Sequence, residues 1–198
     1  TLFSKVDENA HLVAAAKFEI TDQTDGRTMQ FMSEELNQDV GSFLLPDHTY
    51  VVKELEAPAG YYQVKEKEFT VPHVKGSEPI QIVMEDHHIE YSVMKKDENG
   101  NPVIGASMSL FDVTNGEKTL LLNWKTDGVK KEIGSLLKAG HSYCISEDDV
   151  STKYFLAVDQ NFTVSSYDEG PQTINLTDAH IHYELAKVDE NGNPVKDA

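Results

Sequence analysis

A lysine, a glutamate and an aspartate recur in that order along the chain, each on a strand-like segment and at nearly constant distance. Lys5, Glu54 and Asp86 form one set, Lys95, Glu147 and Asp178 a second, and Lys187 begins a third. Lysine to lysine is 90 and then 92 residues, glutamate to glutamate 93, aspartate to aspartate 92. Brought together away from water, these groups have a definite chemistry. Burial disfavours charge, so a buried lysine tends to the neutral, nucleophilic amine and a buried aspartate to the protonated acid, whose carbonyl carbon can be attacked. A glutamate between them can take up a proton and pass it on as water departs. The product would be a Lys–Asp amide, with two costly buried charges exchanged for a neutral linkage. A buried ion pair is the ordinary alternative for a single trio. Two trios in one order favour the amide.

The elements that must position these groups are strands. Two-residue alternation is common and helical periodicity scarce. The run Pro79 to Asp86 puts Ile80, Ile82, Met84 and Asp86 on one face, and Thr173 to Asp178 does the same for Ile174, Leu176 and Asp178. Glu54 continues the face of Tyr50 and Val52, and Glu147 that of Tyr143 and Ile145. Phe3 shares a face with Lys5, as Tyr91 and Val93 do with Lys95. Each ionisable residue therefore continues an apolar face. Lys96 and Asp97 are expected to face outward, and Cys144 to be an outward, plain thiol.

A period near 90 residues in a chain of 198 makes two small modules and the start of another. Residues 1–87 form the first, 88–180 the second, and 181–198 the first strand and turn of a third repeat. The phrase Lys-x-Asp-Glu-Asn occurs at Lys5, Lys95 and Lys187, and Gly41-Ser42-Phe43-Leu44 with His48 and Tyr50 matches Gly134-Ser135-Leu136-Leu137 with His141 and Tyr143. Asn99-Gly100, Asn191-Gly192, Asp25-Gly26 and Asp127-Gly128 suit tight turns, and Ala57-Pro58-Ala59-Gly60 a loop. Glu34 to Asp39 reads as a short helical or loop insertion. Many short strands with frequent turns predict β-sandwiches, joined tersely enough to form a semi-rigid rod. The tail from Tyr183 to Ala198 is expected to pair with an edge of the second module or of a neighbouring molecule.

Composition excludes several functions. A net charge of -17 offers no basic face for nucleic acid or for an anionic membrane surface. No apolar run approaches the roughly 20 residues of a membrane span, so membrane insertion is not expected. Modules this small bury only about 60–65% of their unfolded surface and gain from a staple. Cys144 is the single cysteine and cannot form an internal disulfide. A different covalent tie would serve. No metal site is expected: Asp97 to Asn101 opens like a calcium loop, but Pro102 stands where that loop needs glycine and Met108 where it needs glutamate. His87, His88, His180 and His182 read as surface residues beside the junctions. No cofactor motif and no nucleophile–histidine–acid set occurs.

Lys-x-Asp-Glu-Asn-Gly-x-Pro-Val, then Tyr50 to Glu54 with Ala57-Pro58 and Gly60-Tyr61, then an alternating last strand, resembles the Cna B-type (SpaA-type, prealbumin-like) domains of Gram-positive surface adhesins and pilins. The resemblance implies an all-β chain of tandem inverse immunoglobulin-like sandwiches. It also implies a self-formed isopeptide bond with Lys5 as nucleophile, Asp86 as acceptor and Glu54 as catalyst, and by position Lys95, Asp178 and Glu147 in the second module. That module departs from the pattern after Glu147, where Asp148 to Phe155 contains neither Ala-Pro nor Gly-Tyr.

The resulting expectation is a stalk fragment of an extracellular adhesin or pilin-like protein, anchored to the cell wall through parts outside this sequence. Its partners would be neighbouring domains of the same longer chain, with host matrix or glycan reached through other domains. Cross-linking would be single-turnover, so the chain is not an enzyme in the usual sense. The alternative is a ligand-binding module recognising host protein or glycan. A hydrolase using Glu54 and Asp86 would need both carboxylates in an open cleft, against their place on apolar faces.

Overall fold

A computed structural model describes residues 1–73, 80–149 and 153–195. Pro79 of the alternating strand, 150–152 of the divergent loop and 196–198 of the tail lie outside the described residues. The chain is all-β, with four sheets packed as two sandwiches. In the first, β1 (Leu2–Asp7), β2 (Lys17–Asp22), β3 (Thr28–Met32), β4 (Gln38–Asp39), β5 (Thr49–Glu56), β6 (Lys67–Thr70) and β7 (Gln81–Asp86) make sheets of order β4-β1-β7 and β3-β2-β5-β6. The second repeats this with β8 (Tyr91–Asp97), β9 (Ile104–Asp112), β10 (Thr119–Asp127), β11 (Lys131–Glu132), β12 (Ser142–Asp149), β13 (Gln160–Thr163) and β14 (Gln172–Asp178), ordered β11-β8-β14 and β10-β9-β12-β13.

First and last strands lie side by side and parallel in both sandwiches. Lys5 is in register with Met84 and Asp7 with Asp86, so Lys5 and Asp86 are diagonal neighbours on one face. Leu176 opposite Lys95 and Asp178 opposite Asp97 give the same diagonal. The glutamates belong to the facing sheet, where Glu54 pairs with Phe18 and Glu147 with Met108.

Each sandwich has its own apolar core. Phe3, Phe18, Ile20, Tyr50, Val52, Ile82 and Met84 fill the first, with the Phe3 and Phe18 rings 4.9 Å apart edge to face. Met108, Leu110, Ile133, Leu137, Tyr143 and Ile145 fill the second. Matching tyrosines pin the loops that enter the two glutamate strands: the Leu45 and Lys138 amides each donate to Tyr50 and Tyr143 hydroxyls at 2.7 Å.

Several local expectations are corrected. Glu34 to Asp39 is not helical; it forms a Glu34–Leu36 bridge and the two-residue β4. Asp97 faces inward, as two-residue alternation from Lys95 requires, and accepts the Asn99 and Asn101 amides at 2.9 and 2.8 Å. Cys144 is buried on the outer face of β12, where its Sγ lies 3.6 Å from Asp159 Oδ2. Among the described residues the tail does not pair with an edge of the second module: the hydrogen bonds after Tyr183 are local, and Tyr183 and Leu185 are exposed. β1 and β8 are ordered by a parallel last strand about 80 residues on, and this chain contains no such strand for Lys187.

Candidate functional site

The sequence placed six ionisable groups on core faces, and the structure brings them together as two buried trios. All six side chains are 0–1% exposed. In the first, Lys5 Nζ lies against Asp86 Oδ1, 3.5 Å from Glu54 Oε1 and 5.6 Å from the centre of the Phe18 ring. In the second, Lys95 Nζ donates to Asp178 Oδ1 and, at 3.0 Å, to Glu147 Oε2. Lysine and aspartate share one sheet and the glutamate reaches across from the other, so each trio bridges its core.

The environment of the first trio disfavours charge. Lys5 Nζ, Glu54 Oε1 and Asp86 Oδ1 face one another away from water, and Asp86 Oδ2 is buried without a partner among the described residues. Burial of this kind disfavours the charged form of a carboxyl group. Burial raises Asp86 to about 7, assisted by the nearby Glu54 charge. Burial raises Glu54 as well, against the pull of Lys5 and of the Val64 amide. In the second trio burial raises Glu147, opposed by its bonds to Ala157 and Lys95.

Each glutamate is also held by a backbone group that the sequence did not single out. The Val64 amide donates to Glu54 Oε2 at 2.8 Å, and the Ala157 amide to Glu147 Oε2 at 2.7 Å. Both donors lie ten residues after their glutamate. That repeated interval was the only available signal, and a backbone donor leaves no side-chain signature. The bond fixes one carboxylate oxygen; Glu54 Oε1 is left facing Lys5.

The remaining candidates have structural partners. His87 Nδ1 lies 2.8 Å from Asp168, His88 Nδ1 2.6 Å from Glu8, and His180 Nδ1 2.7 Å from Glu98. Asp22, Asp25 and His48 cluster closely, but the Arg27 guanidinium occupies the space between the two aspartates at 3.1 and 2.7 Å. Glu54 borders a surface groove with Gln63, Val64 and Tyr167, but the Glu54 and Asp86 side chains are both 0% exposed, so the two carboxylates are not presented to a substrate as a hydrolase requires. Among the described residues no helix is long and apolar enough to cross a membrane.

Fold and trio together define a tandem β-sandwich with an ionisable cluster joining first strand, last strand and facing sheet. Residues 1–88, the first module, match the model of the SpaA prealbumin-like fold domain. No curated protein matches the chain. Among solved structures it is similar to the shaft pilin SpaA from Lactobacillus rhamnosus GG, at 12% identity and a TM-score of 0.41 over 93% of this chain and 98% of that one. The Bacillus anthracis TIE protein is similar at 22% identity and a TM-score of 0.42, over 91% of this chain and 33% of that one. The C-terminal fragment of the pilus adhesin SpaC from Lactobacillus rhamnosus GG is similar at 14% identity and a TM-score of 0.42, over 92% and 97%.

Proposed function

We propose that the chain is a structural stalk segment of a bacterial surface adhesin or pilin-like protein, in which residues 1–87 and 88–180 are domains that each tie their own first strand to their last. The observation that carries this reading is the duplicated, fully buried Lys–Glu–Asp trio. In the first module the ammonium of Lys5 passes a proton to the adjoining Asp86 carboxylate, which becomes the acid. The freed amine attacks Asp86 Cγ, and Glu54 relays a proton from nitrogen to the departing hydroxyl. A C–N bond forms, a C–O bond breaks, and one water leaves. Lys95, Asp178 and Glu147 perform the same step in the second module.

The chemistry happens once per module and leaves Glu54 sealed in the core, so the chain modifies itself and turns over no substrate. Its neighbours are other domains of the same longer protein, outside the cell and attached to the wall by parts beyond this sequence. Intact mass decides the matter. The folded chain should be lighter than its sequence mass by two waters, with Lys5–Asp86 and Lys95–Asp178 peptides joined in a digest. A mass equal to the sequence mass would sink the reading.

A further inference from the structure

The loop that holds Glu54 is also the loop that docks on the second module. Between Glu54 and Val64 the chain leaves its own sandwich. The Gly60 amide donates to Leu137 O at 2.7 Å and the Gln63 amide to Ser166 O at 2.9 Å. Tyr62, 2% exposed, is buried in the second module's core cluster beside Ile89 and Tyr91 rather than in that of its own module. Gly60 has φ +90°, and a Cβ there would lie 3.3 Å from Ser135 Cα, so this close approach needs glycine. Gln63 Nε2 returns to Leu55 O at 3.1 Å and closes the base of the loop. One residue past Gln63, the Val64 amide grips Glu54.

Taking the Lys5–Asp86 condensation as given, we propose that the second module positions Glu54 of the first. Tyr62 acts as a positioning residue: seated in the neighbouring core, it fixes the loop whose end presents the Val64 amide, and that amide aims Glu54 at Lys5. The second module supplies its own contrast. The Phe155 amide donates to Ala179 O as the Tyr62 amide does to His87 O, and Tyr154 bridges His180 as Tyr61 bridges His88. Phe155, however, is 53% exposed, with no neighbouring core around it. Among the described residues the Glu147 loop is held by its own module, and the two bonds should respond differently to loss of the docking contact.

The test follows newly synthesised full-length chain in a cell-free system by time-resolved intact mass and peptide mapping. Tyr62→Ala should leave closure of Lys95–Asp178 at the wild-type rate and slow closure of Lys5–Asp86 by about tenfold or more, as expected when a reacting constellation is misplaced. Hydrogen exchange at the Val64 amide should rise in the same variant. Tyr62→Phe should behave as wild type, because the Tyr62 hydroxyl is buried with no partner to lose among the described residues. If Tyr62→Ala closes both bonds at wild-type rates, the proposal is overturned. Should that variant leave both bonds open, Gly60→Ala, which empties no core volume, decides by the same criterion. A wild-type chain that loses no water defeats the cross-linking reading itself, before any comparison of rates.

Discussion

Replacing Glu54 by alanine separates the buried trio from the bond it is proposed to make. Lys5 and Asp86 remain diagonal neighbours on β1 and β7, but nothing carries the proton to the leaving hydroxyl. The chain should then fall short of its own sequence mass by one water, that of the second module, instead of two. The tie would have closed a loop on the order of 80 residues, and the chain-entropy relation for cross-links puts its contribution near 4.5 kcal/mol. For a module of this size each kcal/mol moves the midpoint by about 4–8 °C, so the first module should melt roughly 20–35 °C lower. The Val64 amide also loses its acceptor, which costs about 1–3 kcal/mol where the group stays dry. Lys5→Met isolates that contribution, since it keeps Glu54 and cannot form the amide. Intact mass and scanning calorimetry on the full chain read both effects. A Glu54→Ala protein that still loses two waters at the wild-type rate refutes the proton relay, and an open first bond with an unchanged midpoint refutes the mechanical role.

In the proposed step Lys5 has given up a proton and Asp86, raised to about 7, holds one, so the reacting pair carries one proton fewer than the fully protonated pair and closure of the first bond should slow as pH falls below 7; a rate unchanged at pH 5 in time-resolved mass spectra would contradict this. His87 is raised above its ordinary 6.5, first by its bond to Asp168 of the other module. Its junction contribution is therefore complete below 6.5 and lost as pH passes the raised value, visible as faster hydrogen exchange at the Gln63 amide. Gly134→Ala should destabilise the second module by about 1–3 kcal/mol in denaturant melts, because the new Cβ would fall 1.7 Å from Ile89 O. Acetylation of the native chain should modify Lys187, which is exposed, and spare Lys5 and Lys95, which are buried.

The trios were legible because strand alternation has a period of two and each charged residue extended an apolar run. Lys5 follows Phe3, Glu54 follows Val52, and Asp86 follows Met84. The same rule carried from Lys95 to Asp97 gives an inward aspartate, although its place in a polar turn phrase suggested the surface. Cys144 was misread for a different reason: alternation tells which face a residue occupies, not whether another segment covers that face, and the Asp159 region covers it. Tyr62 lay beyond any local pattern. Its partners belong to the next module, and only three-dimensional docking joins them.

One small motif recurs three times with nearly identical bonds. Asp7, Asp97 and Asp189 each accept the amides two and four residues on, all between 2.8 and 2.9 Å. The backbone pair beneath them also repeats, from Val13 to Lys5, Val103 to Lys95 and Val195 to Lys187. Around Asp189 this turn stands in solvent with no sandwich to support it. Its described hydrogen bonds there all come from within its own few residues. Closing a module's parallel first and last strands is slow, because the partners are separated by nearly the whole module. A locally bonded turn beside the first strand would form long before that closure. Emerging from the ribosome, each module would begin from a ready-made corner, with its reactive lysine already fixed at the base and only the distant aspartate still to arrive.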